Sequence, residues 1–171
     1  KLHRRSKNPL ASSHGECQNL NVNRVQIFVC QFLILFQREQ FKMAKILLVE
    51  DESIVAADIR ETLENKGHTV LNIVDSGVKA LKSIEQHPPD LVLMGIHLKG
   101  EMDGIVVAKS IIERFDLPVV YLTAHPDEDT LDRMKMTHAF GYVLKPFEEQ
   151  KLLMTLTLSL YHYEQEQRLK K

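Results

Sequence analysis

Four short stretches of this chain hold residue types that could act together on a charged, oxygen-rich ligand: Glu50-Asp51, Gly95 with the apolar run before it, Thr123-Ala124, and Lys145-Pro146. Two adjacent carboxylates suit a hard divalent cation, which takes oxygen ligands. A lysine and a hydroxyl beside them would balance the charge of a phosphoryl group, so the set as a whole suits phosphoryl-transfer chemistry. Taken singly, each stretch has an ordinary explanation: a solvated acidic strand end, a Thr at a turn, a Lys-Pro loop. The chemistry therefore depends on a fold that brings all four to one place.

The pattern from Met43 onward supplies such a fold. Short apolar runs at 46–49, 70–74, 91–94, 119–122 and 142–144 alternate with helix-period segments, the mark of βα units and a parallel sheet. The first and third runs are nearly continuous in apolar residues, as expected of strands covered on both faces. A first helix is expected from about Ser53, with Val55, Ile59 and Leu63 on one face and Gly67 as a left-handed stop. A second starts near Ser76, buries Ala80, Leu81 and Ile84, and ends before Pro88-Pro89. The third, about 104–115, has Asp103 as N-cap and Ile105, Ala108, Ile112 and Phe115 at helical spacing. The fourth, near 128–136, is apolar only at Leu131, Met134 and Met136, so thin packing is expected there. The fifth, from 148 to about 167, carries Leu152, Leu153, Leu156 and Leu160. With right-handed crossovers, these five units give a flavodoxin-like, doubly wound (βα)5 fold with a parallel five-stranded sheet in the order 2-1-3-4-5. Sites in such sheets sit at the carboxyl ends of the strands, where the four stretches lie.

Composition sets the outer limits. At 171 residues and 44% hydrophobic content, one folded unit is expected. Residues 1–42 carry seven Lys/Arg against two Asp/Glu, and the remainder fifteen against twenty-one. That asymmetry marks 1–42 as a leader or disordered extension, 43–165 as the domain and 166–171 as the charged end of the last helix. The competing reading of 1–42 is an amphipathic arm that docks on the domain or on a partner. An acidic body argues against direct nucleic-acid contact. Both cysteines, Cys17 and Cys30, precede the domain, which fits a reducing cytoplasm. The apolar run 25–36 is shorter than the roughly 20 residues a membrane span requires, so no membrane association is expected.

Together, VEDE at 49–52, DLVLMGIHLKGEMDGI at 90–105, LTA at 122–124 and GYVLKPF at 141–147 resemble the receiver domains of two-component response regulators, in order and spacing over about 120 residues. The resemblance implies Mg2+ held directly by Asp51, through water by Glu50, and by the backbone carbonyl of His97. It implies Thr123 and Lys145 on the phosphoryl group, with Ala124 beside them, Tyr142 as an aromatic switch, and a cis Lys145-Pro146 bond. It also implies a histidine kinase as phosphate donor and a downstream protein that reads the face of helix 4, strand 5 and helix 5. A homodimer through the leucine-rich fifth helix is a further option, although a core role for that stripe is the simpler reading.

The departure from the family falls at its centre. Where receivers carry the phosphate-accepting aspartate, this chain has Gly95. Glycine offers no nucleophile, so phosphate uptake is expected to fail and Mg2+ affinity to drop with one carboxylate gone. Two explanations stand: a point substitution in a working receiver, or a phosphorylation-independent receiver that acts as a constitutive interaction module. No independent enzymatic activity is expected, because the related phosphatases also need an aspartate at a strand end. His97 and His125 flank the rim but lack paired metal-ligand spacing. The chain reads as a single-domain regulator or as a fragment of a hybrid sensor protein.

Overall fold

In a computed structural model of the chain, which describes residues 43–124 and 126–170, the five apolar runs form one parallel sheet. Its strands are β1 (Lys45–Val49), β2 (Thr69–Val74), β3 (Leu91–Gly95), β4 (Val119–Thr123) and β5 (Gly141–Leu144), in the order β2-β1-β3-β4-β5. The helices between and after them are α1 (Ser53–Asn65), α2 (Gly77–Gln86), α3 (Gly104–Phe115), α4 (Glu128–Lys135) and α5 (Glu149–Leu169). The flavodoxin-like architecture expected from the alternation is therefore present. Expectations for residues 1–42, including the apolar run 25–36, and for His125 lie outside the described residues. Among the described residues, no helix is long and apolar enough to cross a membrane.

Side-chain alternation along the strands sorts the core into two layers. Ile46, Leu48, Leu91, Leu93, Val120, Leu122 and Val143 pack with α1 and α5, through Ala56, Ile59, Leu63, Leu152, Leu153 and Leu156. Leu47, Val49, Val92, Met94, Val119 and Tyr121 pack the other way, against Ala80 and Ile84 of α2, Ile105, Val107, Ala108 and Ile111 of α3 and Met134 of α4. Strands β1, β3 and β4 are buried on both faces, which is why their runs are apolar without interruption.

Two helices add detail to the packing expected from their spacing. In α3 the fully buried residues are Ile105, Val107, Ala108 and Ile111, while Ile112 and Phe115 are only partly covered. All four expected positions belong to the buried face or its margin, and Val107, which packs over Gly77 of α2, and Ile111 widen it. In α4 only Met134 is buried; Met136 lies past the last turn and is 78% exposed. The thin packing expected of α4 holds, and polar contacts supplement it. Asp127 caps the helix by accepting from Thr130 N at 2.7 Å, Arg133 pairs with Asp103 at the start of α3, and the Tyr121 hydroxyl meets Thr137 Oγ1 at 2.9 Å. Burial pushes the Tyr121 phenol up to about 12, so it stays neutral and available for that bond.

At the opposite end of the sheet, His68 is 5% exposed and its Nδ1 accepts from Ala44 N at 3.2 Å, while Nε2 has no partner. Burial holds its pKa below the ordinary 6.5. The folded state thus resists protonation of His68, so this residue contributes stability that is complete above pH 6.5 and is lost as pH falls below it toward the folded pKa. Charging the ring would also break the bond from Ala44. We expect urea denaturation at neutral and mildly acidic pH to show a loss that His68→Asn, which keeps an acceptor but cannot titrate, largely abolishes. An equal loss in the variant would place the acid sensitivity elsewhere.

Candidate functional site

Strand register brings the expected rim together. Val49 lies opposite Met94, so Glu50 follows beside Gly95; Gly95 lies opposite Leu122, so Thr123 comes one step further, opposite Leu144. Gly95 and Thr123 are the last residues of their strands, one position deeper in the sheet than the apolar runs alone indicate. The Lys145 amide donates to the Thr123 carbonyl at 2.7 Å and the Glu50 amide to Val74 at 2.8 Å, which fixes both loops to the sheet. The Lys145-Pro146 bond is cis.

The charged groups at this rim are tightly coupled. The Glu50 side chain is 0% exposed and that of Lys145 16%. The Lys145 ammonium lies 2.8 Å from each Glu50 carboxylate oxygen, donating to Oε1 with Oε2 at contact distance but without a directed hydrogen bond. Glu50 Oε1 also accepts from the Glu52 amide at 3.2 Å. Lys145 donates to Glu52 Oε1 at 3.1 Å. Burial pushes the Glu50 carboxyl above the usual carboxylate range, more than Lys145 and the Glu52 amide draw it down. Burial works against the Lys145 charge as well, but its bonds to Glu50 and Glu52 prevail and hold the ammonium above its ordinary value.

Asp51 is half-buried and faces a groove of about 410 Å³, lined also by Ala57, Asp75, Lys79 and Lys99. His97 is exposed in the loop after β3. Thr123 is buried, and Ala124 next to it is exposed. Tyr142 stands half-exposed on the α4 side of the edge strand, in register with the buried Tyr121. Glu52 was not among the expected site residues; its engagement with Lys145, 93 positions away, is a product of the fold. One carboxylate oxygen from each of Glu50, Asp51 and Glu52 can be chosen so that all lie within 4.8 Å of one another. Carboxylate oxygens this close together fit a hard divalent cation such as Mg2+.

Gly95 and Gly104 form a close backbone contact beneath the rim. A Cβ on Gly104 would stand 1.9 Å from the Gly95 carbonyl oxygen, and the Gly104 amide donates to Ile96 O at 2.7 Å. The capping Asp103, which accepts from Val106 N at 2.9 Å, thus starts α3 directly on the end of β3. Because main chain meets main chain there, Gly104→Ala is expected to cost about 2–3 kcal/mol. Urea denaturation would read this, and a loss below about 1 kcal/mol would show that α3 can back away.

The Response regulator receiver domain model matches residues 46–157. Among curated proteins, the chain is 30% identical over 119 residues to the transcriptional regulatory protein PdtaR of Mycobacterium tuberculosis, covering 70% of this chain and 58% of that protein. It is 29% identical over 118 residues to the phyllosphere-induced regulator PhyR of Methylorubrum extorquens, covering 68% and 43% respectively. The chain therefore spans about half the length of these relatives. Among solved structures, the signal receiver domain of a modulated diguanylate cyclase from Desulfovibrio desulfuricans G20 superposes with a TM-score of 0.70 at 30% identity, over 73% of this chain and 99% of that one. The N-terminal domain of a response regulator/sensory box/GGDEF three-domain protein from Carboxydothermus hydrogenoformans gives 0.66 at 37% identity, over 71% and 98%.

Proposed function

The chain belongs to the response regulator receiver family, and from that premise we propose that it is a receiver whose phosphate uptake is blocked at Gly95. The observation that carries the reading is the rim itself. Glu50, Asp51, Thr123 and Lys145 converge around the end of β3, yet the residue there has no side chain to attack phosphorus. Glu50 and Asp51, with the carbonyl of His97, would hold Mg2+; the ion would offset phosphoryl charge, while Thr123 and Lys145 bind the oxygens and Ala124 borders them. The partners in this reading are a histidine kinase and a downstream protein on the α4–β5–α5 face, at which Tyr142 acts as the switch.

A second reading is favoured by one observation. Tyr142 and Leu144 point to the α4 side of the edge strand and are about half exposed, because the short α4 does not cover them. An apolar strip of this kind can bind a partner without phosphate, which makes the chain a constitutive interaction module.

Incubated with Mg2+ and acetyl phosphate, the chain is expected to show no covalent phosphate by intact mass. Stoichiometric uptake would mean that another residue is the acceptor and would overturn the blocked-receiver reading.

A further inference from the structure

We propose that Asp116 is a latch that docks the second half of α5 onto the turn between α3 and β4, so that residues 160–170 have a docked and a released state. The inference is separate from the reading of Gly95 and stands or falls without it.

Burial along α5 shows why its second half needs another support. The buried residues, Leu152, Leu153, Leu156 and Ser159, all lie in the first half; no residue from 160 to 169 is buried, and Leu160 is only partly covered. The receiver match also ends at residue 157, so this second half lies outside the region shared with the family. A helix end without core burial opens locally at little cost. Polar contacts to one residue tie this end down instead. The Tyr163 hydroxyl donates to the Asp116 carbonyl at 2.7 Å, Gln167 Nε2 donates to Asp116 Oδ2 at 2.8 Å, and the Lys170 ammonium donates to Oδ1 at 2.9 Å. Donors spaced by four and then three residues stand on one face of a helix. The Tyr163 ring adds an edge-on contact with Phe140, the centroids 5.8 Å apart.

The identity of residue 116 points the same way. Asp116 closes α3 in the left-handed region, at φ 49° and ψ 47°, with its amide donating to Ile112 O at 3.1 Å. Glycine takes that conformation without steric cost, so the turn alone gives no reason for an aspartate. Its carboxylate is accounted for by α5. Bonds from Lys170 and Gln167 hold the Asp116 carboxyl below the usual carboxylate range, and the bond to Asp116 holds the Lys170 ammonium above its ordinary value. The amide of Asp116 thus closes α3, while its carbonyl and carboxylate dock α5. The ion pair with Lys170 is open to solvent on both sides and therefore weak, which leaves the latch able to open. Release would lift Tyr163 away and uncover the Phe140 ring.

Hydrogen–deuterium exchange of the full chain, read by mass spectrometry, tests the latch. Asp116→Gly keeps the left-handed turn and its carbonyl but removes the carboxylate. It should speed exchange of the amides of 163–169 about tenfold and leave β1, β3 and β4 unchanged. Gln167→Ala combined with Lys170→Ala removes the donors instead and should speed the same amides. Alanine is the best helix former, so faster exchange in that variant comes from lost docking and not from a poorer helix. Unchanged exchange of 163–169 in either variant would overturn the proposal, since the helix end would then stand without Asp116. Exchange raised equally in α3 and β4 would overturn it too, by making Asp116 a general support of the fold.

Discussion

Restoring the acceptor by Gly95→Asp is expected to convert a chain that takes up no phosphate into one that takes up a single covalent phosphate from acetyl phosphate in the presence of Mg2+. The new carboxylate oxygen would attack phosphorus, acetate would leave, and the product would be an acyl phosphate on residue 95. In the blocked-receiver reading the change is all-or-none in mass, because that reading has only the nucleophile missing. Space is the first obstacle. A Cβ at 95 would lie 3.0 Å from the Val49 carbonyl oxygen, 3.2 Å from Glu50 Oε2 and 3.5 Å from Leu98 Cδ2. The Val49 carbonyl belongs to a strand flanked by β2 and β3 and has little freedom, whereas the Glu50 carboxylate can turn. Charge is the second obstacle, since another carboxylate joins a group that burial already disfavours as an anion. The revertant should therefore lose about 1–2 kcal/mol without Mg2+ and regain most of it when the ion binds. Absence of phosphate from a folded, Mg2+-responsive revertant would remove the blocked-receiver reading and favour the constitutive module.

How much of this is legible without the structure depends on how local each feature is. The sheet order and rim can be read because apolar runs, acidic strand ends and the LTA and KPF turns are each contiguous in the chain. Strand ends fall one residue short at Gly95 and Thr123, since neither residue is apolar and a strand at its carboxyl end is held by register rather than by side-chain burial. The expected face of α3 is present but Val107 is missed from it, because Val107 packs over Gly77 on another helix, which periodicity within α3 does not contain. Contacts across long separations are invisible for the same reason. Glu52 reaches Lys145, and Tyr163, Gln167 and Lys170 on and just beyond α5 all converge on Asp116, the left-handed cap of α3. In the sequence these are merely polar residues near helix ends. The need for glycine at 104 is equally hidden, because it comes from the backbone of Gly95 and not from any local turn.

Loss of the rim's ammonium should be the most damaging change to stability. Lys145→Met keeps the aliphatic stem but leaves the 0% exposed Glu50 carboxylate facing only the Glu52 amide. Breaking a buried pair in this way costs about 3–5 kcal/mol, whereas the companion contact to exposed Glu52 is worth less than about 1 kcal/mol. The pH dependence has a definite sign. Burial already raises Glu50 above 4.5 with Lys145 in place, and without it nothing of comparable strength draws the carboxyl down. A carboxyl with a raised folded pKa contributes full stability below its unfolded value and loses it as pH rises through the folded value. The variant's deficit should therefore be small near pH 4.5 and grow toward neutrality. Glu50→Gln in the Lys145→Met background should recover most of the loss, because the buried charge is then gone, so the two substitutions are strongly non-additive. A deficit of about 1 kcal/mol or less at neutral pH, or simple additivity of the two changes, would mean that Glu50 and Lys145 behave as a solvated surface pair. The rim would then owe its shape to the backbone register alone.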